Sequence, residues 1–243
     1  MKKHKGQVLR TIIALLLLGV CAFSGYKVYE GWREYQRAEQ EKERLSEYEP
    51  APGSSKNAGV AELIARYPDV VGWLTVEDSP ISYPFVQTEN NSDYLHKTLE
   101  GEELSAGTLF MDFRNSKDFG DFNTVIYGHH MQNGSMFGTL KSFVNSGDYW
   151  DAHKRAWVFL PQETIELELF AAVTVRDTDE TLYGLNYPAA DDREAFLSYV
   201  KQKANRWREV GASADDRFVC LSTCTRAGSR DRWVLIGRVV EQG

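Results

Sequence analysis

The sequence predicts a mainly β domain, closed as a barrel or packed as a sandwich, behind an apolar N-terminal helix. Three observations predict it. Short apolar runs recur from residue 73 onward, several alternating with polar residues, which is the period of a half-buried strand. Turn signals such as Ser79-Pro80 and Asn133-Gly134 separate them. Only one late stretch, 191–207, carries a convincing helical period. With 243 residues, 42% hydrophobic and 12% aromatic, the chain holds enough apolar material for one packed domain and an appendage, which excludes a disordered protein.

The appendage comes first. MKKHKGQVLR, with four basic residues and no acid, precedes TIIALLLLGVCAFSGY. Positive flanks stay in the cytoplasm, so the head is read as inside. Three readings compete. Ala22-Phe23-Ser24 loosely resembles a signal-peptidase site. A lipoprotein box ending at Cys21 is opposed by bulky Val20. An uncleaved signal anchor is favoured, because the run continues through Tyr26, Val28 and Tyr29 into a charged stretch. Residues 1–29 are therefore expected to be cytoplasmic head and transmembrane anchor, 30–56 stalk and linker, and 57–243 an extracellular domain. Gly31 to Tyr48, rich in Glu, Lys, Arg and Gln, reads as a solvated helix. Pro50 to Ser55 reads as linker by composition.

A short helix is expected from Asn57 to Arg66, stopped before Pro68. Strands follow at 73–76 and 81–85, then at 107–113, 124–127, 156–160 and 164–175. In the last, Ile165, Leu167 and Leu169 alternate with Glu166 and Glu168. The helix over 191–207 can be capped by Asp191 or Asp192 and sets Phe196, Val200, Ala204 and Trp207 on one face. Strands at 217–223 and 233–240 close the chain.

Past residue 26 the chain carries 24 basic and 35 acidic side chains, a net charge of −11. A domain that acidic lacks the basic face that nucleic-acid phosphates require. Its three cysteines do not form a disulfide framework: Cys21 lies in the apolar run, and the spacing of Cys220 and Cys224 matches neither a redox pair nor a zinc knuckle.

Three strand ends carry groups with chemical potential. Val219 to Cys224 ends at a thiol facing a polar loop with several arginines, which favour a nucleophilic thiolate. A free cysteine is most often a small buried residue, and mid-strand Cys220 fits that description. Tyr127-Gly128-His129-His130 ends a second run, and a histidine there can move protons near neutral pH. No acid or cysteine sits at ligand spacing beside the pair, so no metal is expected. Arg232, eight residues after Cys224, opens the final strand and supplies a fixed cation.

Together these segments resemble the class B sortases, cysteine transpeptidases of Gram-positive cell surfaces. The likeness runs from about Tyr67 to Val240. It rests on YPDVVGWLTV, YPFVQ, AGTLFMDFRN, NTVIYGHHMQNGSMFGTLKSF and CLSTCTRAGSRDRWVLIGR, of which the last two are the most specific. The resemblance implies an eight-stranded barrel with N-terminal helices and one long helix before the last strands. It assigns the nucleophile to Cys224, the proton partner to His129 rather than His130, and the oxyanion stabiliser to Arg232. It places Tyr127, Ser222, Asn91 and Leu95 in a substrate groove.

It also implies the reaction. A C-terminal sorting signal, of the NPxTN or NPxTG kind, is cut after Thr through a thioacyl-enzyme, and the protein passes to an amine. The acceptor is a peptidoglycan precursor or, in the alternative, a pilin lysine. No cofactor is implied. Water as acceptor would make the chain a peptidase with the same residues. A catalytically silent, membrane-anchored binding module is the reading outside enzymology, and the intact trio opposes it.

Overall fold

The computed structural model describes residues 2–50, 57–226 and 228–240, with side chains at 10 and from 12 onward. The linker expected at 50–55 lies, from 51 on, outside the described residues. Residues 1–41 and 42–243 form two compact units.

In the first unit, helix α1 (Lys2–Leu45) is continuous through both the apolar run and the charged stretch. Its apolar part is long enough to cross a membrane, with mean hydropathy reaching 1.9 and none of that window buried in the protein. Leu15, Leu16, Leu18 and Phe23 are exposed along it. Backbone hydrogen bonds closed within the helix are what a hydrocarbon environment requires.

The second unit begins with the last turn of α1. Leu45 and Tyr48 are buried against Val60, Leu63 and Trp73, where α2 (Ala58–Arg66) packs. Among the described residues nine strands follow: β1 (Val70–Val76), β2 (Ser82–Val86), β3 (Leu109–Met111), β4 (Asn123–Tyr127), β5 (Arg155–Phe159), β6 (Thr164–Arg176), β7 (Ala204–Trp207), β8 (Phe218–Cys224) and β9 (Asp231–Val240). Eight of them close a barrel in the order β1-β2-β3-β4-β8-β9-β6-β5, with β5 pairing back to β1. Closure removes the unpaired edges that an open sheet would expose. The β2–β3 and β4–β8 pairs are parallel, and the others in the barrel are antiparallel.

Helices α3 (Leu140–Asn145), α4 (Gly147–Ala152) and α5 (Glu180–Tyr183) were not foreseen; each is too short to show a period. The helix expected over 191–207 is α6 (Ala190–Lys203), and it ends four residues early. Ala204 turns extended, and 204–207 instead hydrogen-bonds to β6 as β7. Trp207 packs edge-on to Phe170 at 5.3 Å rather than on the helix face. Ladder bonds and aromatic packing outweigh one more turn of helix. At the other end, Asp192 accepts from the Ala189 N–H at 3.1 Å, so its carboxylate helps close the first turn.

One face of β4, β8 and β9 positions the site. At its middle, Val125, Cys220 and Ile236 are roofed by Leu182 of α5 and by Phe196 and Val200 of α6. Burying each large side chain contributes about 1.5–3 kcal/mol. Toward the strand ends the roof stops, and the same face opens into a groove.

Candidate active site

Strand register assembles the site. Cys224 at the end of β8 lies directly opposite Arg232 of β9 in the antiparallel ladder. Ser222 pairs with Tyr127 of β4 in the parallel ladder. The Gly128 N–H donates to Ser222 O at 3.1 Å, and Thr223 Oγ1 donates to Gly128 O at 2.7 Å, so β4 stays tied to β8 past its last ladder residue. His129 follows two residues beyond the last pair and lines the same groove as Cys224. Side chains alternate across a strand. Residues 127 and 129, 222 and 224, and 232 therefore share one face.

The same alternation sends His130 to the opposite face, where it packs edge-on to Trp233 at 5.3 Å. Gly128 has its own requirement. A Cβ there would lie 2.4 Å from Leu109 Cδ2 and 2.7 Å from Phe137 Cδ2. Only glycine lets the chain pass these buried residues and present the next side chain.

The groove, about 330 Å³ in volume, is lined by all seven residues singled out from the sequence: Cys224, His129, Arg232, Tyr127, Ser222, Asn91 and Leu95. Cys224 is half-buried, whereas Cys220 is fully enclosed, and burial pushes the Cys220 thiol well up. A thiol so placed stays protonated and out of reach.

Groove residues not foreseen include Asp112, Arg114, Asp177 and Tyr183. Asp112 is fully buried, and its carboxylate accepts five hydrogen bonds from three neighbours. Arg114 Nε and Nη2 donate at 2.8 Å each, the Arg114 N–H at 3.1 Å, Tyr127 Oη at 3.0 Å and Asn91 Nδ2 at 3.0 Å. Burial alone would raise the Asp112 pKa, but the Arg114 and Tyr127 bonds outweigh it and hold the carboxyl below its usual range. Arg114 also donates to Tyr183 O at 2.9 Å, and Tyr183 Oη shares a hydrogen bond of 2.8 Å with Ser222 Oγ. Asp112 thus joins the loop carrying Asn91 to β4 and, through Arg114, to α5. An acid and a base two apart at a strand end, in MDFR, was the only sequence signal for it.

Asp177 follows β6 and faces two arginines. Arg230 Nε lies 3.1 Å from its Oδ1, and Arg232 Nη2 lies 3.7 Å from its Oδ2. The loop arginine Arg230 is held here. Arg232 also donates through Nη1 to Ser229 O at 2.6 Å and Asp231 O at 3.2 Å, so its guanidinium is fixed from two sides.

His129 is half-buried beside the segment that links β2 to β3. Its Nε2 lies 2.7 Å from Leu95 O, and its ring stacks on His96 at 5.1 Å. Burial lowers its pKa; the Leu95 bond opposes this in part, and His96 adds to it. The ring is held toward its neutral form.

No family model matches the chain. Sortase B of Listeria monocytogenes is 34% identical over 239 residues, covering 95% of this chain and 94% of that one. Sortase B from B. anthracis, solved in complex with AAEK1, superposes with a TM-score of 0.75 at 28% identity, covering 87% of this chain and 100% of that one. The Staphylococcus aureus sortase B–substrate complex gives a TM-score of 0.73 at 26% identity, covering 86% and 95%.

Proposed function

The chain belongs to the class B sortases, a family of cysteine transpeptidases, and from that premise we propose that Cys224 is its nucleophile, His129 its proton partner and Arg232 its oxyanion stabiliser. The observation that carries this is the single groove that all three line, with Cys224 opposite Arg232 in the β8–β9 ladder and His129 two residues beyond the last β4–β8 pair.

The substrate is a surface protein with a C-terminal sorting signal of the NPxTN or NPxTG kind. Cys224 passes its thiol proton to His129 as its sulfur attacks the Thr carbonyl carbon. The carbonyl oxygen takes up negative charge, which Arg232 stabilises from a preset position. The C–N bond breaks as His129 gives its proton to the departing nitrogen, leaving a thioacyl-enzyme. An amine of a peptidoglycan precursor then attacks the thioester. His129 takes the amine's proton, and the Cys224 sulfur leaves. Asn91, Leu95, Tyr127 and Ser222 hold the peptide along the groove. Helix α1 anchors the enzyme as a single span with its basic head inside and the catalytic unit outside, consistent with the cell-surface setting of sortases.

The test is to incubate the full chain in detergent with sorting-motif peptides and follow it by mass spectrometry. The wild type should gain the mass of the acyl fragment, and an added amine should discharge it as an amide. A lysine-bearing pilin peptide serves as rival acceptor; faster discharge to it would move the acceptor from cell wall to pilin. For topology, a mature N-terminus near Gly25 in membrane fractions would exclude the uncleaved anchor.

A further inference from the structure

A carbonyl oxygen only accepts hydrogen bonds. The 2.7 Å contact between Leu95 O and His129 Nε2 therefore requires a proton on Nε2. Nδ1 makes no hydrogen bond among the described residues, and it is not an enclosed orphan as His130 Nδ1 is. In the neutral ring Nδ1 carries the lone pair.

The backbone around Leu95 is braced to keep its carbonyl there. Thr108 N–H donates to Tyr94 O at 3.0 Å, and Leu104 N–H donates to His96 O at 2.9 Å. These two bonds fasten both sides of Leu95 to the far end of its loop. That end passes at Gly107, whose φ is +58°, and a Cβ on Gly107 would lie 2.3 Å from Leu95 O and 2.6 Å from Tyr94 O. The backbone conformation and the close approach both demand glycine.

We infer that the Leu95 carbonyl fixes His129 as its Nε2–H tautomer, that Nδ1 is the nitrogen that exchanges the reacting proton, and that Gly107 is a positioning residue for this bond. The catalytic part rests on His129 being the proton partner. As the sulfur attacks, the Cys224 thiol gives its proton to Nδ1, and the ring becomes an imidazolium. In the imidazolium, Nε2–H stays on Leu95 O while Nδ1–H goes to the departing nitrogen as the C–N bond breaks. The ring is left neutral in the tautomer the carbonyl already selects. The incoming amine then gives a proton to Nδ1, which passes it to the departing Cys224 sulfur. Neither step requires the ring to flip or the Leu95 bond to break.

The experiment uses the full chain in detergent, labelled with 15N-histidine and observed at pH 8 by long-range proton–nitrogen correlation. His129→Gln identifies the His129 signals by their loss. Expected in the wild type are a protonated Nε2 and a bare Nδ1; a protonated Nδ1 would overturn the inference. Gly107→Ala should mix the two tautomers and lower kcat about tenfold or more. An unchanged tautomer and kcat would remove Gly107 from the role. Because that variant has a strained backbone, a second arm places Nδ1-methylhistidine at position 129. Blocking Nδ1 should cost about a hundredfold or more in turnover, and retained turnover would exclude Nδ1 as the exchanging atom. Failure of the underlying reading shows separately: a His129→Ala enzyme with normal turnover would end the proton-partner role, while the nitrogen spectrum would still report the tautomer.

Discussion

Cys224 and Arg232 stand directly across from each other in the β8–β9 ladder, although a six-residue loop, 225–230, joins their strands. Directly opposed residues have Cβ atoms about 4.5–5.5 Å apart and point to the same face. The thiol and the guanidinium are neighbours by register, so the loop's own conformation does not decide their approach.

Arg232 therefore owes its position to the sheet, to two backbone carbonyls and to Asp177. Arg232→Ala and Arg232→Lys should each lower turnover roughly a hundredfold or more, since lysine lacks the planar fork that holds several acceptors at once. Arg230→Ala should be milder, leaving Arg232 its backbone bonds. Thioester formation and steady-state turnover across the three variants check this. A crippled Arg230→Ala beside a near-normal Arg232→Ala would reverse the assignment.

Of the two β8 cysteines, only Cys224 should react. Cys224→Ala should abolish the acyl-enzyme, and Cys220→Ala should retain it. A thiol reagent under native conditions should modify Cys224 and spare Cys220, which peptide mapping reads directly. Cys220 is protected by the α5–α6 roof and by a thiol pKa pushed up by burial.

Asp112→Asn should weaken substrate binding more than chemistry. The carboxylate holds Asn91 and Tyr127 in the groove but lines no strand end beside Cys224. Losing its charge leaves buried donors poorly satisfied, at a cost of about 1–3 kcal/mol in stability. Peptide KM, kcat and the thermal midpoint should be measured together; a fall in kcat alone would contradict this.

His129 should titrate below about 6.5, the value for an unperturbed imidazole. The folded state then binds fewer protons than the unfolded one just below that pH. Its contribution to stability is full above about 6.5 and declines as pH falls toward the folded pKa. An NMR titration of the ring should show the lowered midpoint, and His96→Ala should move it upward by less than burial lowers it. A midpoint above 6.5 would contradict the burial argument.

Gly128→Ala should destabilise the protein by about 1–3 kcal/mol through overpacking against Leu109 and Phe137, and His130→Ala should leave turnover largely intact. Denaturant unfolding checks the first and steady-state kinetics the second. Equal loss of turnover at His129→Ala and His130→Ala would undo the face assignment.

The sequence by itself determined the element types that have a clear period or a clear end. Ile165, Leu167 and Leu169 alternate as a half-buried strand must, and they lie in β6. The apolar run and the charged stretch after it both favour helix, and α1 contains both. Cys224, His129 and Arg232 were legible because each sits where an apolar strand gives way to polar loop.

Only the tertiary structure decided the rest, because it depends on which strands are neighbours. Trp207 reads as helical until β6 offers it a ladder and Phe170 a packing partner. Asp112 and Asp177 look like ordinary acids in sequence. They become groove residues because the parallel β4–β8 pair and the antiparallel β6–β9 pair bring distant segments together. The partner of His129 is a backbone carbonyl, a group every residue carries. No residue type can announce it, and the fold alone aims it.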